Sequence, residues 1–281
     1  MILLDGKAAS QAVKKEIKSD VESLRSKGVI PGLAVVLVGD NPASAVYVAN
    51  KEKDAKEVCI NSTIIRFPAE VSEAVLINAI YELNRDEQID GIIVQLPLPK
   101  KFDEKMMIPL IAPEKDVDGL TPVSAGRLAV GLKSFLPCTP AGVIELLKIY
   151  GVPISGMRAV IVGRSNIVGK PLVPLLLKED ATVTICHSKT SNLKAVALEA
   201  DILIAAAGRP KLITADMVKE GATVVDVGIN RIGDKLAGDV DFENVAPKCS
   251  FISPVPGGIG LMTRAMLLRN TVEACRLRHK A

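Results

Sequence analysis

An α/β protein of two open three-layer domains is the fold class this sequence predicts, and three observations predict it. The chain has 281 residues, more than one hydrophobic core of ordinary size encloses, so two domains of roughly 100–150 residues are expected. Short apolar runs alternate with amphipathic helical stretches, the pattern of parallel strands joined by helical crossovers. That alternation pauses at Pro137-Cys138-Thr139-Pro140 and then begins again.

Residues 8–26 place Ala9, Val13, Ile17, Val21 and Leu24 on one helical face among charges, and Gly28 and Pro31 end the helix. Residues 33–38 are a continuous apolar run closed by Gly39-Asp40-Asn41-Pro42, which reads as a buried parallel strand and a turn. A helix over 43–58 follows, then a strand over 63–67, a helix over 73–84, and a strand over 91–96 that runs into Pro97-Leu98-Pro99. The Pro-Cys-Thr-Pro segment introduces a helix over 140–149, with Thr139 as its N-cap and Pro140 at the first helical position. A domain boundary is placed there. Strands over 159–162, 182–186, 202–206 and 223–227 come next, separated by helical or turn-rich stretches. A last strand near 251–253 meets Pro254-Val255-Pro256-Gly257-Gly258 and a long helix over 263–279. No repeat and no low-complexity segment interrupts this plan.

Composition narrows the function. The net charge of +3 is spread along the chain, and basic pairs such as Lys14-Lys15 and Lys100-Lys101 sit among acids, so no phosphate-tracking stripe forms. Aromatic residues make up 3% of the chain and Trp is absent, which removes the stacking platforms of single-strand binders. Nucleic acid is therefore not expected as a partner. The five cysteines are odd in number and show no zinc spacing, so a reduced compartment and no metal are expected. Four residues before Asp5 are too few for a signal h-region, and no apolar run reaches the roughly 18 residues of a membrane span. The expectation is a cytoplasmic protein without a membrane partner.

Several segments carry possible chemistry. After the strand over 159–162, Gly163-Arg164-Ser165-Asn166-Ile167-Val168-Gly169 leads into a helix, and backbone amides in such a turn can hold a phosphate. The spacing is not G-x-G-x-x-G, so glycine used for steric reasons alone fits it as well. Arg164 and Ser165 add a planar cation and a hydroxyl. The end of the next strand, Cys186-His187-Ser188-Lys189, lacks the carboxylate that takes ribose hydroxyls in NAD-specific folds, which favours NADP.

In the first half, Ser44, Tyr47 and Lys51 fall within an arc of about 60° at about 100° per residue, so they share one helix face. Taken alone, Lys51 reads first as one more solvated lysine in a charged segment. Gln95 ends an apolar strand, at the sheet edge where ligands of parallel sheets bind, or merely terminates it. Lys115-Asp116-Val117-Asp118-Gly119 sets two carboxylates beside a turn glycine, a surface turn if nothing else is known.

Together these segments resemble the bifunctional methylenetetrahydrofolate dehydrogenase/cyclohydrolase (FolD) family in order and approximate spacing. The motifs are Ser44-x-x-Tyr47-x-x-x-Lys51, Val94-Gln95-Leu96-Pro97-Leu98-Pro99, Pro113-Glu114-Lys115-Asp116-Val117-Asp118-Gly119, Pro137-Cys138-Thr139-Pro140, Gly163-Arg164-Ser165, Cys186-His187-Ser188-Lys189-Thr190 and Pro254-Val255-Pro256-Gly257-Gly258. The resemblance runs from Asp5-Gly6-Lys7 to the last helix. It implies a cleft between two domains: residues 1–138 with a C-terminal helix from 264 bind folate, and residues 139–263 form a Rossmann-type NADP-binding domain.

By the same resemblance, Lys51 looks like the catalytic lysine, Tyr47 the ring stacked on folate, Gln95 the partner that tunes Lys51, and Asp118 the carboxylate that grips the pterin. Ser44 assists that cluster, and Pro256, Gly257 and Gly258 line the substrate. Cys138, Thr139, Gly163, Arg164, Ser165, Ser188, Ile229 and Thr263 correspond to cofactor contacts. Leu261 departs from the pattern, for the family commonly has proline there. The implied reactions are NADP-dependent oxidation of methylenetetrahydrofolate and hydrolysis of the methenyl product to 10-formyltetrahydrofolate, in a homodimer whose partners are tetrahydrofolate derivatives. A dehydrogenase without the hydrolytic step is the alternative, which an intact Tyr/Lys/Gln set opposes. A non-catalytic nucleotide-binding module would lack that set altogether.

Overall fold

A computed structural model describes residues 1–233 and 235–280. The chain divides into two compact units: residues 12–136 with the chain from Arg264 onward, and residues 1–11 with 137–263.

The first unit holds most of helix α1 (Gly6–Ser26), then β2 (Gly32–Val38), α2 (Pro42–Glu57), β3 (Asn61–Phe67), α3 (Glu73–Arg85), β4 (Gly91–Val94), α4 (Glu104–Met107) and α5 (Pro122–Ala129). Its sheet is all parallel, in the order β3-β2-β4, with Val35 opposite Ile64 on one side and Ile93 on the other. Every residue of β2 is buried, because the central strand is covered on both faces; this is why its sequence is continuously apolar. The edge strand β3 alternates between exposed and half-buried residues instead. Leu76, Ile80 and Leu83 of α3 pack with Ala34, Val36, Ile92 and Val94 as one core. Burial of side chains this size stabilises by about 1.5–3 kcal/mol each before chain entropy is charged against it. The C-terminal end of the last helix is tied down by Asp90, whose Oδ1 accepts from Arg278 Nη1 at 2.6 Å while Oδ2 accepts from Gly32 N at 2.9 Å.

The second unit begins with β1 (Ile2–Leu3) and resumes with α6 (Cys138–Ile149), β5 (Arg158–Val162), α7 (Gly169–Lys178), β6 (Thr182–Cys186), α8 (Leu193–Leu198), β7 (Ile202–Ala205), β8 (Thr223–Asp226), β9 (Asn230–Ile232), β10 (Lys235–Ala237), α9 (Phe242–Val245), β11 (Phe251–Ile252) and the start of α10 (Ile259–His279). Six parallel strands run in the order β1-β11-β8-β7-β5-β6, and β9 and β10 form a separate antiparallel hairpin. Order reverses at β5, whose neighbours are β6 and β7, so the turn after β5 opens at a topological switch point.

Three expectations change. Residues 1–11, placed by the sequence reading with the folate domain, belong to the second unit, because Leu3 and Ile252 sit side by side in its sheet; two residues are too short a run to reveal a strand by periodicity. Thr139 is not the N-cap of α6: that helix starts at Cys138 with Pro137 at the cap, and the Thr139 hydroxyl is bonded to Thr263 instead. Pro140 is therefore the third helical residue, still among the first-turn positions whose N–H has no helical partner. The last helix begins at Ile259, four residues before the expected start, so Leu261 lies inside it and its N–H donates to Gly258 O at 3.2 Å. A proline at 261 would lack that donor.

Candidate active site

Helix α2 of the first unit is pre-set at its start: Asn41 Oδ1 accepts from Ala43 N at 3.0 Å and Ser44 N at 3.1 Å, and Pro42 occupies the first helical position. One face then carries buried Ser44, half-buried Tyr47 and half-buried Lys51. Burial raises the Tyr47 phenol above its usual range, and the nearby Arg264 guanidinium opposes that rise.

Gln95 lies just beyond β4, and its N–H still pairs with Val36 O at 2.8 Å, so the side chain leaves from the carboxyl edge of the sheet. Its Nε2 donates to Leu96 O at 2.6 Å, which turns Oε1 outward to accept from Lys51 Nζ at 2.9 Å. The structure thus brings together the helix lysine and the strand-end amide, and Ser44 and Tyr47 stand on the same helix face.

The stripe continues one turn beyond Lys51. Asp54, three positions after Lys51, is buried and accepts from Lys14 Nζ at 3.3 Å and Arg264 Nε at 3.0 Å, while Lys14 also pairs with Glu57 at 2.6 Å. Spacing from Lys51 was the available signal for Asp54. Nothing in the sequence pointed to its two partners, which come from other helices.

In the loop after β4, the two carboxylates do different work. Asp116 is fully buried and accepts from Leu120 N at 3.1 Å and Thr121 N at 2.9 Å. Burial pushes its pKa up, and hydrogen bonds from Ser124 and Thr121 pull it back. Asp118 is half-buried beside Gly119, which takes a φ of 69°. Lys115 is buried too, its Nζ donating to Leu83 O at 2.9 Å and Asp86 O at 2.6 Å. Asp116 and Lys115 are structural, which leaves Asp118 as the more accessible of the two aspartates.

In the second unit, Gly163 has a φ of 136°, and a Cβ there would overlap the carbonyl oxygen of Ala206; one on Gly169 would overlap the carbonyl oxygen of Gly163. Both ends of the turn are glycine because backbone meets backbone. Ser165 Oγ accepts from Val168 N at 3.2 Å and Gly169 N at 3.4 Å, which holds the turn at the start of α7 and leaves its O–H to donate elsewhere. Arg164 and Ser165 are exposed.

Val162 and Cys186 are partners across β5 and β6, so the turn and the segment from His187 to Lys189 share one sheet edge. Ser188 and Lys189 are exposed there, and no carboxylate stands among residues 186–190. A turn of close-packed glycines, an exposed guanidinium and an acid-free strand end together fit a nucleotide that carries a 2′-phosphate.

Ile229, 48% exposed, follows β8. Thr139 Oγ1 and Thr263 Oγ1 lie 3.0 Å apart, Thr263 donating in turn to Ile259 O at 3.1 Å. Cys138 is buried beside them in sequence. Before α10, Pro256, Gly257 (φ 106°) and Gly258 form a tight passage: a Cβ on Gly6 would overlap the carbonyl oxygen of Gly258. A cavity of about 250 Å³ lined by Asp201, Lys219, Thr223 and Phe251 sits at the amino ends of β7 and β8, the opposite sheet edge from these residues.

Comparison with known proteins finds two domains as well, although the family models keep residues 4–11 with the first and residues 264–279 with the second. The model of the tetrahydrofolate dehydrogenase/cyclohydrolase catalytic domain matches residues 4–118, and that of the NAD(P)-binding domain of the same family matches residues 137–279. The bifunctional protein FolD of Moorella thermoacetica is 57% identical over 275 residues, covering 98% of each chain. The structure of the bifunctional FolD methylenetetrahydrofolate dehydrogenase/cyclohydrolase from Campylobacter jejuni superposes with a TM-score of 0.97 at 49% identity, over 99% of both chains. That of the Trypanosoma brucei methylenetetrahydrofolate dehydrogenase-cyclohydrolase, complexed with NADP cofactor and inhibitor, gives 0.96 at 37% identity, over 100% of this chain and 99% of that one.

Proposed function

We propose, from the premise that this chain belongs to the tetrahydrofolate dehydrogenase/cyclohydrolase family, that Lys51 and Gln95 form the core of a folate-processing site in the first unit. The protein is a bifunctional enzyme: it oxidises 5,10-methylenetetrahydrofolate with NADP and hydrolyses the methenyl product to 10-formyltetrahydrofolate. The observation that carries the site is the 2.9 Å bond from Lys51 Nζ to Gln95 Oε1.

Bound NADP supplies the hydride acceptor for the first step. The chain's part there is to bind and align. Arg164, Ser165 and Ser188 would hold the ribose and 2′-phosphate, the Gly163 turn would let backbone approach, Thr263 would meet the nicotinamide end, and Ile229, Cys138 and Thr139 would complete the cofactor contacts. In the first unit, Tyr47 stacks on the aminobenzoyl ring and Asp118 bonds the pterin, with Ser44 on the same helix face as Tyr47. Such alignment is worth several powers of ten in rate when reacting atoms stand at near-contact distance.

In the second step water adds to the methenyl carbon and its proton passes to Lys51 Nζ. As the bond from that carbon to N5 breaks, the hydroxyl proton of the adduct is lost and N5 gains one, so the sum is one water consumed and one proton released. Gln95 Oε1 keeps Nζ in place for that transfer.

An absorbance assay with methylenetetrahydrofolate and NADP tests the reading: NADP-dependent appearance of the methenyl compound followed by its conversion to 10-formyltetrahydrofolate is expected, and no turnover overturns it. The reading extends to a cytoplasmic enzyme of one-carbon metabolism that feeds purine biosynthesis, working as a homodimer. None of the described helices is long and apolar enough to cross a membrane. Light scattering on the eluted protein should give about twice the 29.8 kDa chain mass.

A further inference from the structure

Two acids of the second unit play no part in the mechanism above, although both are buried at the carboxyl edge of its sheet. Asp239 is fully buried. Its Oδ2 accepts from Ala207 N at 2.6 Å and Gly208 N at 2.8 Å, and its Oδ1 from Arg209 N at 2.9 Å and Asn230 Nδ2 at 2.8 Å. Three successive backbone amides converging on one carboxylate form an anion nest filled by the protein itself.

Asp226, at the end of β8, holds Asp239 in turn. Its Oδ1 accepts from Asp239 N at 2.9 Å and Gly228 N at 2.9 Å, and its Oδ2 from Val240 N at 2.9 Å. Space is cleared for both carboxylates by glycine, since a Cβ on Gly228 would overlap the Asp239 carboxylate and one on Gly238 the Asp226 carboxylate.

The loop gripped by Asp239 begins at Ala206, whose carbonyl oxygen occupies the space beside Gly163 that a side chain would need and whose N–H donates to Val162 O at 2.8 Å. We infer that Asp239 is a positioning residue for cofactor binding: through the backbone of residues 206–209 it fixes the platform on which the Gly163-Arg164-Ser165 turn rests, and through Asn230 it fixes the segment that presents Ile229. The inference rests on the assignment of that turn to the nucleotide.

Gly208 and Arg209 are exposed, so their amides can hydrate when the carboxylate is lost; the loop then loosens while the sheet stays folded. In Asp239→Asn the new NH2 group confronts N–H donors on one side. We expect amide hydrogen exchange at residues 207–209 of the cofactor-free protein to quicken about tenfold or more. By calorimetry the Kd for NADP should rise about tenfold, while the KM for methylenetetrahydrofolate stays within about twofold. Asn230→Ala removes a single donor and serves if the first variant does not fold; it should quicken exchange at Arg209 and raise the Kd by about two- to fivefold.

Faster exchange with an unchanged Kd, or unchanged exchange, in the folded variant overturns the inference, as does equal weakening toward both substrates, which marks a role in general stability only. Failure of the unaltered protein to bind NADP would instead bring down the assignment of the turn itself.

Discussion

Lys51 and Gln95, 44 positions apart, meet at 2.9 Å, and the amide is oriented by its own bond to the Leu96 carbonyl. The lysine is thus presented on one side of a helix whose neighbouring turns carry Tyr47 toward the N-terminus and Asp54 toward the C-terminus.

Lys51→Met should abolish hydrolysis of methenyltetrahydrofolate, by about two to four powers of ten for loss of a proton-transfer group, with a circular dichroism spectrum and melting temperature close to those of the parent. Unchanged hydrolysis in the purified variant removes the lysine from the mechanism.

Arg164→Ala should raise the KM for NADP much more than that for NAD, since only the former carries the phosphate proposed to meet the guanidinium. A loss of about 1.5–3 kcal/mol for a hydrogen bond to a charged group corresponds to roughly ten- to a hundredfold. Equal changes for both nucleotides refute the phosphate contact.

Asp54→Ala removes the shared partner of Lys14 and Arg264, whose side chains are only 10% and 16% exposed. Lys14 keeps Glu57 at 2.6 Å while Arg264 loses this carboxylate, so the change should cost about 3 kcal/mol in urea denaturation, and adding Arg264→Met should recover a substantial part of it. A loss under about 1 kcal/mol would mean that solvent already screens the cluster.

Asp226 gives the fold a pH dependence of unusual sign. Burial raises its pKa from 3.8 to about 6, against the pull of its backbone hydrogen bonds. The folded state therefore binds the proton more tightly than the unfolded one. The stabilisation is fully present below about pH 4 and is lost as pH rises through 6, on the order of 2–3 kcal/mol. Denaturation of the parent against Asp226→Asn at several pH values between 4 and 7 should show the parent losing stability relative to the variant; a flat difference would contradict this.

The alternation of apolar runs and amphipathic stretches was enough to predict parallel sheets, and the helical period alone put Ser44, Tyr47 and Lys51 on one face, because both patterns arise from sterics between near neighbours in the chain. The missing carboxylate after β6 was equally legible, since it is a matter of which residue follows a strand. Tertiary structure decided the rest. Only folding joined Lys51 to Gln95, drew Lys14 and Arg264 onto Asp54, paired Leu3 with Ile252, and made Asp116 a buried brace while Asp118 stayed accessible. Each of these depends on which distant segment closes over a polar group and supplies its partner. That outcome is set by burial and loop closure across the whole chain and leaves no periodic trace in any one stretch of it.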